Sequence, residues 1–220
     1  MTSVHTVSAW LLAGGEGRRM QGRDKGLVPW QDRPLAAWVL DSLPVDAHDA
    51  TPGRLAAIGI TANRNADSYR TLLASSPPVL QAGVPLAVPT GVLPDDADLP
   101  ERSGPMAGIL TALRHSPSDW VLVLPCDTPH LPRDLLARLL DAALAAQADI
   151  AVPVTDGGTR HHWVCALIRK RLTPEITRAF VNGERKVGRW MQTQAWVGVC
   201  FAPETDFQNM NTLETWHGRD

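Results

Sequence analysis

Two short segments carry most of the residues that could do chemistry. The first is Leu12-Ala13-Gly14-Gly15-Glu16-Gly17-Arg18-Arg19-Met20-Gln21-Gly22-Arg23-Asp24-Lys25-Gly26. Its glycines let the backbone approach a ligand closely and turn N–H groups toward phosphate oxygens. Arg18, Arg19, Arg23 and Lys25 add cations, arginine as a bidentate fork and lysine as a point charge. The second segment is Leu122-Val123-Leu124-Pro125-Cys126-Asp127-Thr128-Pro129-His130-Leu131-Pro132. Its prolines stiffen a loop that presents Asp127. Mg2+ is usually held by one or two carboxylates plus substrate phosphates, so Asp127 is the candidate metal ligand. Each segment also has a plainer reading: a tight turn with solvated arginines, and an aspartate bonded to its own turn or capping the next helix. Their joint occurrence after apolar runs favours a nucleoside triphosphate site with a divalent cation.

Two familiar phosphate motifs are excluded. A Walker A loop needs Ser or Thr after its lysine, and Gly26 follows Lys25. A dinucleotide fingerprint would need a third glycine where Met20 stands. Cys126 has no base beside it in sequence and reads as a packing residue.

These loops need a scaffold. Val7–Ala13 reads as a buried strand ending at Gly14-Gly15. Pro34 opens a helical pattern that ends near Pro44. Residues 55–62 read as a strand and residues 67–73 as a helix. Residues 91–104, rich in Pro, Asp and Gly, read as a long surface loop. Pro105 suits the first turn of a helix running to about His115. Trp120–Leu124 is a compact apolar strand, and a helix follows from Pro132 to about Gln147. Residues 150–154 and 163–168 read as strands around a glycine-rich turn. A helix follows Pro174, a strand spans 196–201, and Thr212 is a candidate cap of a C-terminal helix. Strands alternating with helices predict an α/β fold with a mostly parallel sheet covered on both faces. Ligands of such sheets bind beyond the C-terminal strand ends, where both chemical loops fall.

The 220 residues suffice for one domain with a sizeable core. The net charge of -2 offers no basic stripe for a nucleic acid. The cysteines, Cys126, Cys165 and Cys200, have no zinc-type spacing and fit a reducing compartment. The N-terminal residues do not read as a signal peptide, and no apolar stretch is long enough for a membrane helix. A cytoplasmic protein without a membrane or nucleic-acid partner is expected.

In order and context, the motifs resemble those of the molybdenum cofactor guanylyltransferases. They are Leu12-Ala13-Gly14-Gly15, Arg19-Met20, Gly22 and Asp24-Lys25-Gly26, then Gly104-Pro105-Met106-Ala107-Gly108 and Pro125-Cys126-Asp127-Thr128-Pro129. Gly183-Glu184-Arg185 and Asn209-Met210-Asn211-Thr212 complete the match, which runs nearly end to end. The resemblance implies a single Rossmann-like, three-layer α/β domain with a mixed, mostly parallel sheet. Its nucleotide and metal part would span about 1–130, and its pterin-acceptor part about 131–220.

By the same resemblance, Leu12, Ala13, Gly14, Gly15 and Lys25 contact GTP, Asp127 contacts GTP and Mg2+, and Lys25, Asp127 and Arg19 are the catalytic set. The family's asparagine at a strand end falls on Thr61, so either Thr61 or Asn63 makes that nucleotide contact. The acidic nucleotide contact falls on Asp95 or Asp96. Arg160, His161, His162, Arg185 and Lys186 are candidate cations for the pterin phosphate, and Asn209 and Asn211 candidate liners of the site. The implied substrates are GTP and molybdenum-molybdopterin, with Mg2+ as cofactor and Mn2+ as an open alternative. Transient contact with molybdenum-insertion proteins and acceptor apoenzymes is implied by the pathway. The competing readings are a cytidylyltransferase or other nucleotidyltransferase acting on molybdopterin or a sugar phosphate, and a non-catalytic GTP-binding carrier. A related glycosyltransferase would usually carry an Asp-x-Asp motif after residues 122–124, and none stands there.

Overall fold

The structure, a computed structural model, describes residues 5–15, 22–43, 53–75, 80–81, 84–85, 91–100 and 103–210. In chain order, β1 (His5–Leu12) precedes a hairpin of β2 (Pro29–Trp30) and β3 (Arg33–Pro34), then α1 (Leu35–Asp41). Next come β4 (Gly53–Thr61), α2 (Ala66–Ser75), and a second hairpin of β5 (Leu80–Gln81) and β6 (Val84–Pro85). β7 (Gly91–Leu93), α3 (Pro105–His115), β8 (Trp120–Pro125) and α4 (Leu135–Ala145) follow. The remainder is β9 (Ile150–Thr155), β10 (Arg160–His161), β11 (Ala166–Arg169), α5 (Thr173–Val181), α6 (Val187–Met191) and β12 (Trp196–Cys200).

One eight-stranded sheet organises the molecule in the order β10-β9-β11-β8-β1-β4-β7, with β12 paired to β9. β8, β1, β4 and β7 pair in parallel, while β11 runs antiparallel to β8 and β9. The mixed α/β sheet matches the expected class. Alternate residues of a strand face opposite sides, and β1 shows the consequence. Val7, Ala9 and Leu11 join one core with Leu122, Leu124, Val39 of α1 and Leu139 of α4. Trp10 joins the other, with Val121, Val123, Ile109 and Leu113 of α3 and Ile176 of α5. At Gly59 of β4 the Trp10 ring lies so close that an added Cβ would come within 2.6 Å of it.

Three expectations need correction. The proposed loop over residues 91–104 begins with a strand, because β7 completes the backbone hydrogen bonding of the β4 edge, with Gly91, Val92 and Leu93 opposite Gly59, Ile60 and Thr61. Three residues ahead of Pro94 are too few for a strand pattern to show. Trp163 lies in a turn, where the Cys165 N–H donates to the His162 carbonyl (2.8 Å), and β11 starts only at Ala166. α6 was not anticipated, since five residues cannot display a helical period. The helix predicted from Pro132 begins at Leu135, after a turn in which the Leu135 N–H donates to the Pro132 carbonyl. The helix expected to end near Pro44 stops at Asp41, with Ser42 as its cap, and the expected C-terminal helix at Thr212 lies outside the described residues.

Candidate active site

Four neighbouring parallel strands end in register. Leu12 of β1 stands opposite both Thr61 of β4 and Pro125 of β8, and Thr61 stands opposite Leu93 of β7. The pairing continues one step past the strands: the Ala13 N–H donates to the Thr61 carbonyl and the Ala62 N–H to the Leu93 carbonyl, both at 2.8 Å. Gly14, Asn63, Asp95 and Asp127 therefore leave the same sheet edge on adjacent chain segments. This is the edge where open α/β sheets bind ligands.

Lys25 and Asp127, 102 positions apart, meet there. The Lys25 Nζ donates to Asp127 Oδ2 at 2.7 Å, with Asp127 nearly buried and the lysine a quarter exposed. Gly26 makes the approach feasible. A Cβ at Gly26 would collide with the Tyr69 hydroxyl and sit 3.2 Å from the Cys126 Cβ. Cys126 is buried, and burial pushes its thiol far up, with Asp127 adding to the shift. A thiol so protonated is a poor nucleophile, consistent with a packing role. Asp24 is structural too: its carboxylate accepts from the Tyr69 hydroxyl (2.6 Å) and the Asn65 amide (3.0 Å).

The geometry separates the paired alternatives. Thr61 is buried, and its hydroxyl reaches the Leu11 carbonyl within the sheet at 3.5 Å. Asn63 extends beyond the strand; its amide donates to Asp95 Oδ2 (2.8 Å) and its side-chain oxygen accepts the Asp95 N–H (2.8 Å). A Cβ added at Gly14 would come within 2.9 Å of the Asn63 amide and 3.8 Å of Asp95 Oδ2. At Gly108 an added Cβ would lie 3.0 Å from the Thr61 hydroxyl and 3.7 Å from Asp95 Oδ1. Gly14, Asn63, Asp95 and Gly108 thus share one recess. Gly104, which caps α3, has φ 72 and ψ -166, a backbone region essentially restricted to glycine. Asp96 turns away to Arg114 (2.8 Å) and His115 (2.8 Å). Burial raises the Asp95 carboxyl above its ordinary range, the Asn63 hydrogen bond opposes the shift, and the neighbouring Asp96 adds to it.

The acceptor-side candidates are dispersed. His162 is half-buried, with Nε2 paired to the Thr155 hydroxyl at 2.9 Å and its ring against Phe207. Burial first, and Arg160 second, push its imidazole down to about 4, which favours the neutral ring at pH 7. Arg185 donates to the carbonyls of Phe180 and Glu184 and lies over the Phe180 ring, closing the C-terminal end of α5. It lines a separate cavity of about 220 Å³ with Asp98, Arg114, Thr177 and Val181. Gly183 (φ 89) is the left-handed residue after α5, and Glu184 Oε1 accepts the N–H groups of Arg185 and Lys186. The Gly183-Glu184-Arg185 motif therefore builds a helix junction. Arg160 lies on β10, paired with Thr155, and His161 stacks on Trp163 at 4.9 Å. Asn209 does reach the Asp127 loop: its Oδ1 accepts from the Thr128 hydroxyl (3.0 Å), and the next N–H, of Met210, donates to the Asp127 carbonyl (2.9 Å). Arg19 and Asn211 lie outside the described residues.

A glycine-rich loop, a lysine–aspartate pair and an amide–carboxylate pair at the ends of parallel strands define a nucleotidyltransferase-type domain. The chain belongs to the family of MobA-like NTP transferase domains, whose model matches residues 9–197. It is 38% identical over 215 residues to a molybdenum cofactor guanylyltransferase of Burkholderia ambifaria, covering 96% of this chain and 93% of that protein. The molybdopterin-guanine dinucleotide biosynthesis protein A of Archaeoglobus fulgidus has the same fold, with TM-score 0.66, 20% identity, and 94% and 93% of the two chains covered. A Mycobacterium tuberculosis protein solved in complex with manganese is also similar, with TM-score 0.54, 17% identity, and 89% and 87% covered. The chain is a nucleotidyltransferase by family. Among the described residues, no helix is long and apolar enough to cross a membrane.

Proposed function

We propose that the protein transfers GMP from GTP to the terminal phosphate of molybdenum-molybdopterin, releasing pyrophosphate and forming the guanine dinucleotide cofactor. The observation that carries this reading is the contact of Lys25 with Asp127 at the strand ends, beside the Gly14–Asn63–Asp95 recess. The curated relatives' activity supports the choice of base and acceptor.

The acceptor phosphate is a monoester with a second pKa of about 6, so it is largely dianionic at neutral pH. One of its oxygens bonds to the α-phosphorus of GTP as the bond from that phosphorus to the β-phosphate oxygen breaks, and pyrophosphate departs with the bonding pair. The nucleophile needs no general base. The chain must hold the reactants in line and offset charge. Lys25 is assigned to the charge of the departing pyrophosphate, and Arg19 of the same loop to the same role. Leu12, Ala13, Gly14 and Gly15 direct the loop backbone to the nucleotide, and Asn63 and Asp95 line its recess. Thr61 supports the strand end from inside the sheet.

Among the described residues, no group of three metal-ligating side chains converges. A single nearly buried carboxylate fits a divalent ion that takes its other ligands from phosphates and water. Asp127 would hold that ion, with Mg2+ favoured and Mn2+ a substitute. When bound, the ion supplies charge neutralisation for phosphoryl oxygens. On the acceptor side, Arg160 and Lys186 are assigned to the pterin phosphate. Asn209 shapes the metal loop, and His162 and Arg185 support the fold there. The protein works in the cytoplasm, with transient partners among molybdenum-insertion proteins and acceptor apoenzymes.

The test is pyrophosphate release by purified protein with Mg2+ and molybdenum-loaded molybdopterin, offering GTP, CTP, ATP and UTP separately. GTP-selective release is expected. Release with CTP instead would move the protein to cytidylyl transfer, and GTP binding without release would make it a carrier.

A further inference from the structure

We propose that Arg64 is a positioning residue that clamps both ends of the nucleotide loop, a role that rests on the nucleotidyltransferase reading. Its Nη1 donates to the Gly22 carbonyl at 2.8 Å, and its Nη2 donates to the carbonyls of Gly15 (3.2 Å) and Arg23 (3.1 Å). Gly15 lies before residues 16–21 of the loop, and Gly22 and Arg23 after them. One planar guanidinium thus ties the start of the loop to its end. A rigid fork of donors can do this, whereas the single point of a lysine ammonium cannot reproduce the geometry.

The clamp is itself anchored. Arg64 Nε is buried without a hydrogen bond and lies 3.9 Å from Asp24 Oδ2. Asp24, next to Lys25, is held by Tyr69 and Asn65. Tyr69 is fully buried, and its hydroxyl ties the loop to α2 through Asp24. Asn65, at φ 53, takes the left-handed turn between β4 and α2, a conformation asparagine tolerates better than most residues. The run Asn63-Arg64-Asn65 therefore serves three neighbours in succession: Asp95, the loop carbonyls and Asp24. Arg64 spends its donors on backbone carbonyls, so its contribution to GTP binding is geometric. With the loop ends held in advance, less ordering remains for the ligand to drive.

The experiment uses the full chain with Mg2+. It measures GTP affinity by calorimetry and pyrophosphate-release kinetics with GTP and molybdopterin varied in turn, with circular dichroism to confirm folding. Arg64→Ala and Arg64→Lys should both weaken GTP binding about tenfold or more, while the KM for the acceptor stays within about twofold. Tyr69→Phe, which removes one buried hydroxyl with no route to substrate, should weaken GTP in the same direction by a few-fold. Its effect should be less than multiplicative with Arg64→Lys, because the two act on one network. Should Arg64→Ala not fold, the two conservative variants carry the test. Wild-type GTP affinity with Arg64→Lys would overturn the clamp, since charge alone would then suffice. Acceptor KM rising in step with GTP KM would also overturn it, because general loosening would explain the loss. If the wild type binds GTP but releases no pyrophosphate, the transfer reading fails, and the calorimetric comparison still decides the clamp.

Discussion

Along β8, β1, β4 and β7, the polar groups marked by the sequence stand at strand ends, one strand apart, and touch one another. Along β9, α5 and α6, they sit at helix ends and turns and mostly satisfy local backbone. Lys25 and Arg185 illustrate the contrast. The lysine reaches a carboxylate 102 positions away, whereas the arginine donates to carbonyls one and five positions before it. Parallel strands in register bring distant segments to one edge, and a charge there faces a ligand. A charge just past a helix C-terminus finds unpaired carbonyls first. The strand-end groups are thus paired with one another across distant segments, and Arg185 with backbone of its own helix junction.

The largest test of this contrast is Asp127→Ala, which should lower kcat/KM about 10²- to 10³-fold with fold retained, as measured by pyrophosphate release and circular dichroism. A loss of only a few-fold would remove Asp127 from the metal site. Lys25→Ala comes next, with an expected loss of about tenfold or more in kcat/KM for GTP. Unchanged kinetics would reduce its ion pair to a fold contact. Arg185→Ala sharpens the other side: thermal unfolding should shift down by a few degrees, for about 1 kcal/mol of lost capping, with both KM values little changed. A clear rise in acceptor KM would instead put Arg185 in the pterin site.

The smallest effect concerns pH. His162 titrates at about 4 in the fold against 6.5 as its ordinary value. Between these values the unfolded chain binds a proton that the folded chain refuses, so stability falls as pH drops from 6.5 toward 4. His162→Gln should flatten that part of the stability profile in chemical denaturation. An unchanged slope would mean that other groups cause it.

Much of the nucleotide side was legible because its signals are local. A β-prone run ending in glycines, and an apolar strand ending in Pro125-Cys126-Asp127, each announce a strand end and a loop. Pro105 announced the start of α3. That Asn63 meets Asp95 while Thr61 stays within the sheet was not legible, because it depends on where β4 stops and the chain clears the sheet. Nor was it legible that Asp95 meets Asn63 while Asp96 turns to Arg114 and His115, which follows from β7, a strand only the neighbouring β4 edge reveals. Arg64, Asp24 and Tyr69 were missed as a network. Their sequence signal is an arginine three residues past a strand and a tyrosine within a helix, and only the packing of α2 brings both onto the loop. The backbone contacts of Arg185 were not legible either, because a sequence does not show which carbonyls a helix end leaves unpaired.

The most direct measurement follows the label from α-phosphorus-labelled GTP in a reaction with molybdenum-loaded molybdopterin, alongside γ-labelled GTP and the Asp127→Ala variant. The α-label should appear in the pterin product, the γ-label in pyrophosphate, and neither should move appreciably with Asp127→Ala. An α-label that remains in GTP, or appears only as free GMP, would contradict transfer to the acceptor phosphate at this strand-end site.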